Sequence, residues 1–199
     1  LYDADYGGRI CNTLKDNDGE NPIAERPEKV FSLCSHNGVL YDTGNYLHVF
    51  DTLNDNDAET PIITRPYKFS SIGSHNGLLY YADACRKVFD AFNDPDRKNS
   101  FACRKHWINS LCDHCGVLYD VGEFNKIFRT LKDSNGSFPI VTRPNRINSL
   151  CSHKGVLYDA GNYRHIYDTL ADSPVYTLSD FLHPDDVVTA MCSHKRSLI

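Results

Sequence analysis

The stretch Ile147–Leu170, INSLCSHKGVLYDAGNYRHIYDTL, decides how the chain is read. It returns with changes at Val30–Leu53, Phe69–Phe92 and Ile108–Leu131. The Leu-Tyr pair of successive copies falls at Leu1, Leu40, Leu79, Leu118 and Leu157, a spacing of 39 residues each time. A partial sixth copy, Cys192–Ile199, follows, with Leu198 lying 41 residues after Leu157. A fixed period of this length is the signature of a repeat architecture.

One copy suffices to derive the unit. Val30–Ser35 is apolar and short and reads as strand A. Asn37-Gly38 follows, and Asn-Gly between apolar strands is the strongest short hairpin signal. Val39–Asp42 is strand B, Thr43-Gly44-Asn45 a turn, and Tyr46–Leu53 strand C. The polar stretch from Asp55 favours a loop, and Pro61–Arg65 is strand D, ended by Pro66. Four short antiparallel strands in 39 residues leave no room for a helix. The predicted fold is therefore all-β, a five-bladed β-propeller spanning residues 1–199 as one domain. The chain opens at strand B and closes with strand A, expected over Val187–Ser193. Joined, these two parts complete one blade, which would close the ring and shield its edges.

With that grammar in view, the chain resembles the propeller superfamily as a whole. Its A–B–C–D order is similar to WD-type repeats, although the Trp-Asp dipeptide is absent. Its count of five resembles the tachylectin type of sugar-binding propeller, whose repeats are longer. That resemblance implies a non-catalytic binding module, lectin-like in its use of repeated loop sites. A protein-interaction scaffold is the alternative. An enzyme resembling the five-bladed glycosidases is a weaker one, because it needs two or three unlike carboxylates at one mouth. Here the acids recur as equivalents.

Composition narrows the partners. Net charge is −5, with acidic and basic residues interspersed, which argues against a nucleic-acid surface. No apolar run approaches the roughly 20 residues of a membrane helix. The chain begins at Leu1 rather than Met, which leaves the compartment open. Of eight cysteines, Cys34, Cys112, Cys151 and Cys192 share one repeat position and are expected to be buried thiols rather than a disulfide framework. Asp16–Glu20 resembles the start of a calcium loop but lacks the later bidentate Glu, so no cofactor is expected.

Alternating strand direction places the A–B turns and C–D loops on one face and the B–C and D–A loops on the other. On the first face a histidine recurs at His36, His75, His114, His153 and His194, beside an Asp series that includes Asp55, Asp94 and Asp133. Five equivalent imidazoles cannot all reach one ion at about 2.1 Å, so the ring is expected to be structural. On the second face Asp42, Asp120 and Asp159 end strand B, and Arg65 and Arg143 end strand D. A loop-positioning Arg–Asp fork is one expectation. The other is a set of sugar sites made by these groups with Asn45-Tyr46 and Asn162-Tyr163, repeated for avidity; the alternative for the tyrosines is core between neighbouring blades. Tyr81 interrupts the Asp series, and the corner Arg104-Lys105-His106-Trp107 departs from its equivalents. Trp107, the only tryptophan, is a further candidate contact.

Overall fold

The computed structural model describes residues 2–4, 7–12, 15, 20–122, 125–177, 191, 193–194 and 197–198, with the backbone alone at 163–164, 176–177, 193–194 and 197–198. Every regular element among them is a strand. The chain divides into two compact units, Leu1–Ser100 and Phe101–Ile199.

The first unit starts with β1 (Asp3–Ala4), β2 (Arg9–Cys11) and β3 (Ala24–Glu25), which form a three-stranded antiparallel sheet. These are strands B, C and D of the first repeat. The second repeat supplies a full sheet in chain order: β4 (Val30–His36), β5 (Val39–Gly44), β6 (His48–Asp51) and β7 (Ile63–Thr64). The third begins in the same way with β8 (Phe69–His75), β9 (Leu78–Asp83) and β10 (Lys87–Asp90).

The second unit opens at β11 (Ala102–Cys103). The fourth repeat follows as β12 (Ile108–His114), β13 (Val117–Gly122), β14 (Lys126–Arg129) and β15 (Val141–Thr142). The fifth is β16 (Ile147–His153), β17 (Val156–Gly161), β18 (Tyr163–Asp168) and β19 (Ser173–Thr177). Finally β20 (Ser193–His194) pairs with β21 (Ser197–Leu198), as A pairs with B elsewhere. Most of the expected closing strand Val187–Ser193 lies outside the described residues.

The turn chemistry explains the hairpins. Asn37 and Gly38 both take positive φ, 50° and 81°, as a two-residue primed turn demands. Cys115-Gly116 and Lys154-Gly155 adopt the same geometry without an Asn. The four long A–B pairs also carry a bulge one residue into strand A, as at Val30/Ser32 and Ile147/Ser149. Strand B runs two residues further than predicted, to Gly44, and strand C starts two later, at His48. The reason is a close approach: Asn45 N donates to Lys29 O at 2.9 Å, and a Cβ on Gly44 would stand 2.0 Å from that oxygen. Strand D shortens to Ile63–Thr64.

Sheets pack face to face within each unit. In the first, Tyr41, Val49 and Ile63 meet Phe69, Ile72 and Phe89 in one apolar cluster. In the second, Tyr119, Val121 and Ile127 meet Ile147, Leu150 and Leu157. Burying side chains of this size contributes about 1.5–3 kcal/mol each, so neighbouring repeats hold one another. Strand A of one repeat is also tied to strand A of the next through its bulge serine. Ile72 N donates to Ser32 Oγ at 3.2 Å, Leu150 N to Ser110 Oγ at 3.3 Å, and Met191 N to Ser149 Oγ at 2.9 Å.

Candidate functional site

The Asp and Arg series meet, and they meet inside. Arg26, ending strand D of the first repeat, forks onto Asp42 of the second: Nε donates to Oδ1 at 2.8 Å and Nη2 to Oδ2 at 2.6 Å. Arg143 and Asp159 repeat the fork at 2.9 and 2.7 Å, and Arg104 and Asp120 repeat it with Nε at 2.7 Å. Each guanidinium also lies over the aromatic of the adjoining strand C: Arg26 over Phe50 at 4.6 Å, Arg104 over Phe128 at 4.7 Å, and Arg143 over Tyr167 at 4.1 Å.

The carboxylate has further partners. Tyr46 Oη donates to Asp42 Oδ1 at 2.6 Å, and Thr52 Oγ1 donates to Oδ2 at 2.9 Å; Thr169 does the same for Asp159 at 3.0 Å. Burial and the neighbouring Asp42 charge push the Tyr46 phenol far up, so it stays a neutral donor. Burial pushes the Asp120 carboxyl up as well, against the pull of Arg104. Asp42, Asp120, Asp159 and Arg143 are therefore spent within the scaffold, and the loop-positioning fork is what the geometry contains. Tyr46 is part of it and buried.

The third repeat departs as a block. Tyr81 stands for the Asp, Ala91 for the Thr and Cys85 for the Tyr. Arg65 keeps its place but donates to neutral groups, Nη2 to Ala91 O at 2.7 Å and Nε to Tyr81 Oη at 3.3 Å. The carboxylate has moved two residues along strand B, to Asp83, where the other repeats have Gly44, Gly122 and Gly161. Its partner is Arg97, from the C–D loop, which stacks over Phe89 at 4.9 Å. Sequence reasoning noted Tyr81 and missed this pair. The signal was available: an Asp in a glycine slot and an Arg in a slot held by Ala58 and Gly136.

On the opposite face the histidines latch repeats together. His36 Nδ1 lies 2.8 Å from Ser74 Oγ, and His114 Nδ1 lies 2.9 Å from Ser152 Oγ, each serine belonging to the next repeat. Asn37 Nδ2 donates to His36 Nε2 at 3.1 Å, which leaves the proton on Nδ1 to bond the serine. His75 and His153 are buried at the same position, and the His194 side chain lies outside the described residues. The Asp series beside them serves its own loops rather than the histidines. Asp55 accepts from Glu59 N and Thr60 N, both at 3.0 Å, and Asp94 and Asp133 do likewise. No group of His, Cys, Asp or Glu among the described residues is arranged to hold a metal. Of the calcium-like stretch, 16–19 lie outside the described residues.

The remaining candidates lie nearer the surface. Asn45 is half-buried, accepts from Lys68 Nζ at 2.8 Å and bonds Glu28. Asn162 is exposed and accepts from Asn148 Nδ2 at 2.9 Å. The Tyr163 side chain lies outside the described residues, as do Glu123 and Phe124. Of the cysteines, none of the seven described carries a disulfide; at the position expected to be buried, Cys151 is buried but Cys34 and Cys112 are only half-buried, while elsewhere Cys11 is buried, Cys85 half-buried, and Cys103 and Cys115 exposed. Cys192 lies outside the described residues.

One concave site stands out in the second unit. A cavity of about 240 Å³ is walled by Trp107, Lys105, His106 and Lys126, with Phe128 and the Arg104–Asp120 pair behind them. Its lining residues Asp120, Gly122 and Phe128 hold the repeat positions of Asp42, Gly44 and Phe50, and the residue at the Tyr46 position, Phe124, lies outside the described residues.

No protein-family profile matches the chain, and no curated protein does. Among solved structures the chain is similar to the crystal structure of the computationally designed Ika8 protein, with a TM-score of 0.54 at 8% identity. The match covers 98% of this chain and 62% of that one. At that identity the likeness is one of fold alone.

Proposed function

We propose that the chain is a non-catalytic binding module built as a five-bladed β-propeller, and that its ligand is a carbohydrate held in the Trp107 cavity. The observation that carries this reading is the cavity itself: an indole, with lysine and histidine side chains beside it, around a space of about 240 Å³. That is just below the roughly 300–1,000 Å³ of sites that take drug-sized ligands, which suits a single sugar ring. An indole offers the apolar face that a pyranose stacks on, and the polar rim supplies donors for hydroxyls. The reading differs from the sequence expectation in number. The Asp/Arg rims are consumed in buried forks, so one site replaces several equal ones. A glycan array followed by calorimetric titration tests it. Binding that disappears in Trp107→Ala supports it, and silence across both assays removes it.

Ring closure belongs to the same proposal. The first sheet has strands B, C and D, and strand A of the sixth copy is the segment that would complete it. Removing residues 187–199 is then expected to lower the unfolding midpoint of the whole chain; an unchanged midpoint would count against closure.

A second reading, a protein-interaction scaffold, rests on a different observation. Leu53, Phe92, Leu131 and Leu170 occupy one repeat position and are all exposed, from 39% to 52%. Apolar groups repeated at one surface position fit a protein partner. Loss of a captured partner on changing Leu53 and Phe92 to Ser, with Trp107 intact, favours this reading.

A further inference from the structure

We infer that the niche of the third repeat is a guanidinium-binding site filled in cis by Arg97, and that an arginine side chain of a protein partner takes its place when the C–D loop lifts. This site is separate from the Trp107 cavity and does not require carbohydrate binding. The first ground is the occupant itself. Asp83 is buried, pairs with Arg97, and accepts from Lys87 N at 3.2 Å. Arg97 Cζ lies 4.5 Å from the centroid of the Tyr67 ring and 4.9 Å from that of Phe89. A buried carboxylate beside two aromatic faces suits a planar, weakly hydrated guanidinium better than a compact ammonium. Arg65 does not compete for the carboxylate, because it donates to Thr64 O, Ala91 O and Tyr81 Oη.

The second ground is the comparison between repeats. Tyr67, Asp83 and Arg97 stand where the second repeat has Glu28, Gly44 and Ala58 and the fourth has His106, Gly122 and Gly136. Wall, acceptor and occupant therefore change together. At the Tyr46 position the third repeat has the smaller Cys85. In the second repeat the Tyr46 ring is buried against the strand B carboxylate, and in the third the inserted group is a cation from a different loop.

The third ground is how the plug is held. From Pro95 to Ser100 every residue but Arg97 is exposed, so its side chain is the inward anchor of this strap. Lys98 N and Asn99 N donate to the Asp94 carboxylate, each at 2.9 Å, and fix the strap at its base. Arg97 has a φ of 57°, in the left-handed region that Ala58 and Gly136 occupy at the same slot. That conformation is costly for a residue with a side chain. Arg97 Nε is buried without a hydrogen-bond partner among the described residues, which is a second cost. An arginine arriving on a flexible segment is free of the backbone strain and can orient all of its donors. Against it stands the high effective concentration of a side chain tethered in cis, which keeps the site closed until a partner with further contacts arrives.

Arg97→Gly empties the niche, and its positive φ suits glycine. Titration calorimetry of this variant with N-acetylarginine amide is expected to show saturable binding, about tenfold tighter than to the unaltered chain, where Arg97 competes. N-acetyllysine amide has the same charge without the planar fork and is expected to bind about tenfold more weakly than the arginine probe. Adding Asp83→Asn to Arg97→Gly is expected to abolish binding. Near-ultraviolet circular dichroism checks that the fold is kept, and Arg97→Ala, matching Ala58, is the second variant. Equal binding of the two probes, or binding of neither by a folded variant, overturns the guanidinium assignment. In the unaltered chain, excess arginine probe is expected to speed hydrogen exchange over residues 96–100, and the lysine probe is not. An unchanged rate confines Arg97 to a structural role and overturns the partner assignment. None of these results bears on the Trp107 cavity, whose lining residues all lie in the second unit.

Discussion

Replacing Arg26 by Met puts the buried fork to a quantitative test. The side chains of Arg26 and Asp42 are both fully buried, and the closest contact is 2.6 Å. With charge centres about 4 Å apart and an effective dielectric constant near 20, their attraction is about 4 kcal/mol. Met preserves the stem that lies over Phe50 but removes two of the four donors to the carboxylate, leaving Tyr46 and Thr52. An uncompensated buried charge costs about 3–5 kcal/mol, and that is the expected loss. Urea unfolding reads it as a lowered midpoint at constant slope. Asp42→Asn should cost a similar amount, and the double variant much less than the sum, because neither charge is then stranded. Lys98→Met serves as a control: Lys98 and Asp96 pair at 2.8 Å but are 74% and 66% exposed, and the expected change is within about 0.5 kcal/mol. If Arg26→Met costs under about 1 kcal/mol, or the two changes simply add, the fork is not what fastens one repeat to the next.

Three further outcomes follow from the same geometry. Asp90 is held below the usual carboxylate range: burial works against this, and hydrogen bonds from Asn93 and Phe92 with the nearby His36 overcome it. Its contribution is therefore present above the unfolded value near 3.9 and lost as pH falls through the folded one, so the stability gap to Asp90→Asn should close in acid, as measured by thermal melts across pH. The Cys34 thiol is pushed up to about 11 by burial, so alkylation followed by mass spectrometry should modify exposed Cys103 and Cys115 well before it. His36→Phe leaves the partly buried Ser74 hydroxyl without this partner and Ser74→Ala does the same to the buried His36; each should cost about 1–3 kcal/mol, with the double variant costing less than their sum, and strict additivity would show that the latch carries no energy.

Much of the scaffold was legible because its signals are local. Asn37-Gly38 dictates a primed turn, and the period of 39 residues transfers that turn to Cys115-Gly116 and Lys154-Gly155, where the residue types alone would not have suggested it. The meeting of Asp and Arg on one rim was legible from strand direction. Its burial was not, because burial depends on how neighbouring sheets press together. Tyr46 read equally as part of a sugar site or as core between neighbouring repeats; it turns inward because Gly44 lets strand B approach Lys29 closely and opens a niche for the ring. The histidine partner was likewise hidden. Ser74 lies 38 residues from His36, and nothing local distinguishes it from the Asp near the C–D loop. The Asp83–Arg97 exchange required comparing slots across repeats rather than reading any one of them.

The bulge serines have a consequence for length. Each hydroxyl meets a backbone amide about one period onward, Ser32 to Ile72 and Ser110 to Leu150, so the array measures itself in whole units of sequence. Deleting a complete period keeps every hydroxyl opposite an amide. Deleting one residue fewer or more dephases every stitch downstream of the cut. Insertions and losses should accordingly be tolerated in quanta, a ruler written into the first strand of each repeat.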